Sequence, residues 1–477
     1  MKLPRVMIAA PKSGSGKTLI TCGILEALKR RDIDVRAYKC GPDYIDPMFH
    51  RSVLGIPGGN LDTFFSTDEE IRKTLADCGS EAAVIEGVMG IYDGISGMQG
   101  RGSCYDAASA ASIPVILVID VKGMGQTMLS VIKGILLDDR DSLIKGIVLN
   151  RISEGYFRQT EPLIRDVLNT ISAGHGSKVI LLGGIPASKD INLESRHLGL
   201  MMPQDIADLR MQLSHAADLI EENLDMDALL EIMQGAPEIE AGNTCCEAST
   251  AVNDGPCLAV ARDEAFCFYY EENFRMLRNA GIRIKEFSPL HDSHIPEDAD
   301  GLLLGGGYPE LHAADLSANT GMLRSVKEAI GSGMPSFAEC GGFMYLLDEL
   351  EDKEGNVYSM SGVIRGRSAW TGRLRRFGYV EVRGEKENTL LSGLNVKAHE
   401  FHYFDSSNNG NDAMAEKPGS GTSWECIHAD SDHVWGYPHL WYPSCPQLIE
   451  RFADAMNEYR KKRKDGKFKP FFRKQRL

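Results

Sequence analysis

The chain has 477 residues, 43% of them hydrophobic and 25% charged, the make-up of an ordinary globular protein too long for one core, so two or three domains are expected. A formal charge of −15 speaks against nucleic acid as a partner. No apolar run approaches the roughly 20 residues that span a bilayer, and strand pattern begins at once with no signal-peptide pattern ahead of it, so no membrane partner and a cytoplasmic location are expected. Eleven scattered cysteines without a C-x-x-C pair indicate neither a disulfide framework nor a zinc site, and Cys245 and Cys246 sit together in a loop-like stretch.

The apolar run Val6 to Ala10 leads through Pro11-Lys12-Ser13-Gly14-Ser15-Gly16-Lys17-Thr18 into a helical pattern from Leu19 to Lys29. A glycine-rich turn between strand and helix aims backbone N–H groups and the positive end of the helix at one anion. Ser13, Gly14, Ser15, Gly16, Lys17 and Thr18 are therefore the expected nucleotide-binding residues, with Lys17 on the β- and γ-phosphates and the Thr18 hydroxyl on Mg²⁺. Pro11 occupies the place of the first motif glycine, and in this the stretch resembles the dethiobiotin-synthetase and partitioning-ATPase group. Lys12 falls where partitioning ATPases carry a lysine that reaches across a dimer, which makes a homodimer a possibility by that resemblance.

A strand pattern from Val35 to Lys39 is followed by Cys40-Gly41-Pro42-Asp43-Tyr44-Ile45-Asp46-Pro47, where the prolines place Asp43 and Asp46 on a loop at a strand's carboxyl end. Ligands bind along that edge of an open parallel sheet. The two acids suit either Mg²⁺ or plain turn chemistry. Glu86 ends the buried-strand run from Ala82 and is placed to coordinate Mg²⁺ directly or through water. Further strands are read at Pro114–Asp120, Lys145–Asn150 and Lys178–Ile185, with helical patterns at Gly125–Leu137 and Phe157–Ile171, which makes repeated βαβ units and a mostly parallel sheet. Asn150 at its strand end suits reading an adenine edge or capping a turn. Arg196, in the polar cluster from Glu194 to Leu200, suits a substrate carboxylate or a salt bridge.

A polar stretch without period from about Gly235 to Pro256 is the expected domain boundary. Beyond it come strand patterns at Cys257–Ala261, Arg283–Phe287, Gly301–Leu304 and Met334–Ala338, and helical patterns at Glu271–Ala280 and Phe343–Leu350. Gly305-Gly306-Gly307 exposes backbone N–H groups after a strand, the raw material of an oxyanion hole. Cys340 stands between strand and helix with Ala338 and Gly342 two positions away on either side, the spacing of a nucleophile elbow, and the helix N-terminus is expected to favour its thiolate. His399, His402, His428, His433 and His439 are the late candidates for its base, and His439, after the strand pattern Val434–Tyr437, is placed to face the elbow. The chain closes with Lys461-Lys462-Arg463-Lys464 and further basic residues, read as a solvated tail.

Gly-Gly-Gly-Tyr-Pro-Glu-Leu from Gly305, Ala-Glu-Cys-Gly-Gly-Phe-Met-Tyr from Ala338, His-Glu-Phe-His-Tyr from His399 and His-Leu from His439 together resemble the glutamine amidotransferase domain of the cobyrinate a,c-diamide synthase family. Ser-Gly-Ser-Gly-Lys-Thr, Gly-Pro-Asp-Tyr-Ile-Asp-Pro and Glu-Gly-Val-Met-Gly-Ile-Tyr-Asp-Gly resemble that family's synthetase domain. The resemblance implies an α/β chain: a P-loop, dethiobiotin-synthetase-like parallel-sheet domain over 1–235, a linker over 236–255, a class I glutamine amidotransferase-like domain over 256–455 and a basic tail over 456–477. It implies Cys340 as nucleophile, His439 as its base, and N–H groups near Gly306 and Gly341 as oxyanion hole. Glutaminase domains of the wider class carry a glutamate two residues after that histidine; Trp441 stands there, so the partner that orients His439 is unidentified. ATP and glutamine are the implied co-substrates, with Mg²⁺ held by Thr18, Asp43, Asp46 and Glu86. The implied acceptor is a corrin or related tetrapyrrole, namely cobyrinate, amidated on its a and c acetates through acyl phosphates. Hydrogenobyrinate or nickel-sirohydrochlorin are the alternatives within this chemistry, free ammonia is an alternative donor, and a partitioning-type ATPase switch is the alternative of another class.

Overall fold

In a computed structural model the protein is described at residues 1–95, 101–175, 178–188, 203–240 and 254–465. The chain divides into two compact units, Met1–Thr244 and Cys245–Leu477. Arg196 and its polar cluster, the Cys245-Cys246 pair and the last twelve residues lie outside the described residues.

The first unit is one parallel sheet of seven strands: β1 (Arg5–Ala9), β2 (Val35–Cys40), β3 (Gly58–Leu61), β4 (Ala82–Glu86), β5 (Val115–Asp120), β6 (Ile144–Asn150) and β7 (Ile180–Ile185), in the order β3-β2-β4-β1-β5-β6-β7. β1 sits in the middle, parallel to β4 on one side and β5 on the other, and all five of its residues are buried. Continuous apolar runs such as Val-Ile-Leu-Val-Ile in β5 are what a strand covered by helices on both faces requires. The two faces carry separate cores, one built around Met7, Ile85, Leu117 and Ile147 and the other around Ile8, Ile24, Val84 and Val148. Alternate residues of the same strands thus feed opposite layers. Helix α1 (Lys17–Arg30) belongs to the second layer and buries Ile20, Ile24, Leu25 and Leu28.

The stretch after β2 corrects one expectation. Asp46 does not lie on a loop but in a short helix, Ile45–Phe49. Pro47 is tolerated because it stands in the first turn, where its missing N–H has no carbonyl to meet.

The second unit holds a six-stranded sheet. Its strands β8 (Cys257–Ala261), β9 (Arg283–Phe287), β10 (Gly301–Leu304) and β11 (Ser336–Glu339) are all parallel and run in the order β11-β10-β8-β9. His433–Gly436 adds a parallel strand beyond β11, and His428–Ala429 closes that edge antiparallel. The expected helix from Phe343 to Leu350 is a helix only over Gly341–Leu346. Leu347 turns extended, and Leu347–Glu351 pairs with Val357–Ser359 and Ile364–Trp370, so sheet pairing takes residues whose periodicity alone read as helix. A second, antiparallel sheet contains Arg376–Gly384, Asn395–His402 and His439–Leu440.

The stretch from residue 456 is not tail throughout. A helix runs over Pro446–Lys464, burying Leu448, Ile449, Phe452, Met456 and Tyr459, one face at helical spacing. Arg463 reaches the buried Asp300 at 2.7 Å, and Lys461 to Lys464 fill the last turn, where positive charge meets the negative end of the helix dipole.

Candidate functional sites

At the carboxyl end of β1 the chain turns through the glycine loop. Gly14 and Gly16 adopt φ of +73° and +91°, a region that only glycine enters cheaply, and Gly16 opens α1. Ser13 and Gly14 are exposed at the mouth, while Ser15 is buried with its hydroxyl on the Lys12 carbonyl at 3.0 Å. The Lys17 ammonium donates to the Met89 carbonyl at 2.7 Å, and burial lowers its pKa. Thr18 Oγ1 donates to Glu86 Oε1 at 2.6 Å, which brings two of the expected magnesium ligands together.

Asn150 serves the loop. Its Nδ2 donates to the Ser15 carbonyl at 2.9 Å, and a Cβ on Gly16 would stand 2.2 Å from that same nitrogen. Arg151, paired with Asp120, donates to the Gly14 carbonyl at 3.0 Å. The last residue of β6 and the one that follows it therefore hold the loop's backbone.

The acids are arranged around a cation of the protein's own. Lys39 Nζ lies 2.5 Å from Asp46 Oδ2 and 2.7 Å from Glu86 Oε1, with all three side chains buried. Asp46 and Glu86 raise the Lys39 pKa well above the usual lysine range against the opposing cost of burial. Burial pushes Glu86 up to about 7, and Asp46 stays low because Lys39 outweighs its burial. Asp46 Oδ1 and Glu86 Oε2 are buried with no hydrogen-bond partner. Asp43 accepts from the N–H groups of Ile45 and Asp46 at 2.8 and 3.4 Å, which is turn chemistry, and burial beside Asp46 raises it to about 6. Lys39 is the member of this group that the sequence reading passed over; its position at a strand end among acids is a signal only once the strand order is known.

In the second unit β11 ends in Glu339, and Cys340 follows with φ +48° and ψ −105°. A non-glycine residue at positive φ between strand and helix is the strained turn that the sequence spacing predicts. Its N–H donates to the Gly436 carbonyl at 2.8 Å, and the Gly342 N–H to the Gly305 carbonyl at 2.9 Å, which pins the turn to both neighbouring strands. A Cβ at Gly342 would fall 2.1 Å from the Leu304 carbonyl oxygen, so glycine there is a packing requirement.

The expected thiolate is not favoured in this arrangement. Burial, with Glu310 nearby, pushes the Cys340 thiol well up, and the Gly341 N–H offsets only part of that. His439 is only 2% exposed, and burial holds its imidazole down at about 3, with His399 and His402 adding to the effect. Thiol and imidazole are thus both neutral at rest.

Gly306 and His439 come together: a Cβ on Gly306 would stand 2.3 Å from His439 Cε1. Gly341 packs beside the same loop, its would-be Cβ 3.1 Å from the Gly307 nitrogen. The Tyr269 hydroxyl accepts from the Gly305 N–H at 2.9 Å and so fixes where that loop begins. His439 Nδ1 faces Glu339 Oε2 at 3.8 Å, and Glu339 Oε1 accepts from the Tyr442 hydroxyl at 3.0 Å.

The other histidines separate. His399 lies beside His439 in the strand register, and burial holds it near 3. His402 is 3.3 Å from Glu400 and stacks on Tyr437 at 4.0 Å. His433 is bonded to Ser336 Oγ at 3.0 Å, at the opposite end of β11 from Cys340, and His428 lies on the edge strand.

Two family models match the chain: a CobQ/CobB/MinD/ParA nucleotide binding domain over residues 6–200 and a CobB/CobQ-like glutamine amidotransferase domain over 257–442. The cobyrinate a,c-diamide synthase of Caldanaerobacter subterraneus is 35% identical over 463 residues, covering 96% of this chain and 99% of that protein. The chain belongs to the cobyrinate a,c-diamide synthase family. The synthases of Picrophilus torridus and Priestia megaterium, 36% and 32% identical, cover 95% and 97% of this chain and 99% of each relative. As a member of this family the chain is an enzyme, a ligase with a P-loop domain and a glutamine amidotransferase domain. No described helix is long and apolar enough to cross a membrane.

Proposed function

We propose that the protein makes amides from the a and c acetate carboxylates of cobyrinate, using ATP and the side-chain nitrogen of glutamine. The observation that carries this reading is the end-to-end match to synthases of that name, over a chain whose two halves hold a phosphate loop and a cysteine elbow. A carboxylate is a poor acyl electrophile, because its leaving group would be oxide. Phosphorylation by ATP supplies a good leaving group, and ammonia then displaces phosphate from the acyl phosphate.

In the amidotransferase unit Cys340 Sγ attacks the glutamine amide carbon as His439 takes the thiol proton. Backbone N–H groups at Gly306 and Gly341 stabilise the oxyanion, His439 passes its proton to the departing ammonia, and water clears the thioester to give glutamate. In the synthetase unit residues 13–18 cradle the triphosphate and Lys17 faces the transferred phosphoryl group. The oxygens of Thr18, Asp46 and Glu86, two of them buried and unpartnered, are the hard donors that suit Mg²⁺, with Asp43 beside them. When bound, the ion would offset phosphate charge. Lys39 lies among the same acids, so it either shares them with the ion or turns its ammonium to phosphate. The described cysteines are free, the usual state in a reducing compartment, which supports a cytoplasmic location.

The test is mass spectrometry of purified protein with cobyrinate, ATP, Mg²⁺ and amide-¹⁵N glutamine. Two labelled amides on one corrin are expected. Parallel reactions with hydrogenobyrinate and nickel-sirohydrochlorin decide the acceptor, and turnover of the nickel compound alone would refute this reading.

A further inference from the structure

His439 has to become a cation inside the protein. It takes a proton from Cys340 while only 2% exposed, in surroundings that hold the imidazole down at about 3. An imidazolium formed there needs a negative group close by, fixed in place and not consumed by the reaction. Trp441, two residues on, packs edge-on against Tyr270 with ring centres 4.9 Å apart and offers no acid.

The titratable side chains near His439 come from two strands. His399 and His402 lie on the strand Asn395–His402 and bring no negative charge. Glu400, next to them, is engaged by His402 at 3.3 Å and by the Trp424 indole N–H at 3.3 Å. From β11 comes Glu339, whose Oε2 stands 3.8 Å from His439 Nδ1. Glu339 is held by the Tyr442 hydroxyl on Oε1 at 3.0 Å and by the Leu440 N–H, so two residues just after His439 in the chain fix the carboxyl that faces its ring.

We propose that Glu339 positions His439 and balances the charge it acquires, so that the orienting acid is the residue immediately before the nucleophile. The topology makes this placement possible. β11 and the strand His433–Gly436 are parallel neighbours, with Glu339 opposite Gly436, so Glu339, Cys340 and His439 all emerge at the same carboxyl edge. The 3.8 Å separation is longer than a hydrogen bond, and contacts of this kind shorten when substrate closes the site. The proton stays between Cys340, His439 and the leaving nitrogen; Glu339 supplies charge and orientation only. Burial pushes Glu339 up to about 8, so its carboxylate form grows with pH across the working range.

The inference rests on the proposed roles of Cys340 and His439, and the experiment separates the two. Full-length wild type, Cys340→Ala, Glu339→Gln and Glu339→Asp are assayed for glutamine hydrolysis between pH 6 and 9, with ammonia-dependent amidation as the check of folding. For Glu339→Gln, kcat for glutamine is expected to fall about 10- to 100-fold with KM little changed. The wild-type rise in kcat/KM toward pH 8 should vanish in Glu339→Gln, whereas a merely structural residue would leave the profile in place. Glu339→Asp should keep a rise, displaced along the pH axis, and it carries the test if the Gln variant fails the folding check. A wild-type kcat and pH profile in the folded variants overturns the inference, while glutamine use surviving in Cys340→Ala overturns the site reading beneath it.

Discussion

Gly306→Ala is a one-carbon change whose effect follows from geometry. Its φ lies outside the left-handed region, so alanine meets no backbone strain and only space is at issue. The added carbon would sit 2.3 Å from His439 Cε1, whereas carbon atoms rest about 3.5 to 4.0 Å apart, so something must move by more than about 1 Å. The glycine cannot retreat freely, because its carbonyl accepts from the N–H groups of Cys267 and Phe268 at 2.9 and 3.0 Å. The imidazole therefore gives way. A displacement of about 1 Å at a reacting group costs on the order of 100-fold in rate, and the overpacking itself about 1–3 kcal/mol of stability. Steady-state glutamine hydrolysis should show that loss, while ammonia-dependent amidation and the far-UV spectrum stay at wild-type level. A Gly306→Ala enzyme that hydrolyses glutamine within a few-fold of wild type would show that His439 has no part in the chemistry.

Lys39→Met removes the ammonium between two buried acids, and breaking such a pair costs about 3–5 kcal/mol. Urea denaturation at pH 8 should show that cost, and at pH 6 a smaller one, since Glu86, already near 7 with its lysine present, can then take a proton; equal losses at both values would contradict it. In the second unit, pH dependence follows from two opposed pairs. Glu310 and Glu339 are raised to about 7 and 8, so the stability they contribute is complete below about 4.5, their unfolded value, and is lost as pH rises through 7 to 8. His399 and His439 are lowered to about 3, so their contribution is complete above about 6.5 and is lost as pH falls toward 3. Between about 4.5 and 6.5 the two slopes oppose each other, so urea midpoints should change least there and fall away on both sides. A midpoint that climbs steadily from pH 5 to 8 would exclude this balance.

Periodicity made the parallel sheets legible. Continuous apolar runs with glycine near their ends read as buried strands, and β8 and β10 lie where those runs stand. The antiparallel half of the second unit did not read this way. Arg376–Gly384 and its partners carry glycine, arginine and glutamate among few apolar residues, so alternation is weak and pairing decides. Leu347–Glu351 shows the same effect, its strand state fixed by neighbours on both sides. Of the candidate sites, the loop and the elbow were legible because their function demands glycine at fixed spacing. Lys39 and Glu339 were not, and Asn150 was read at its strand end for an adenine edge or a turn and not for its hold on the loop, since each is brought to its place by a strand order that no local pattern encodes.

The two sites share a device that explains why their glycines carry so much of the signal. In the first unit the missing side chain of Gly16 makes room for Asn150, which holds the loop's own carbonyl. In the second the missing side chain of Gly306 makes room for His439. Motif reading assigns such glycines to the turn and to the anion, and the turn accounts for Gly16, whose φ is +91°. It does not account for Gly306, where alanine would be conformationally acceptable and only the imbedded ring forbids it. A glycine after a strand can thus mark the side chain packed against it as well as the ligand above it, and at Gly306 that side chain is the base on which the proposed chemistry depends.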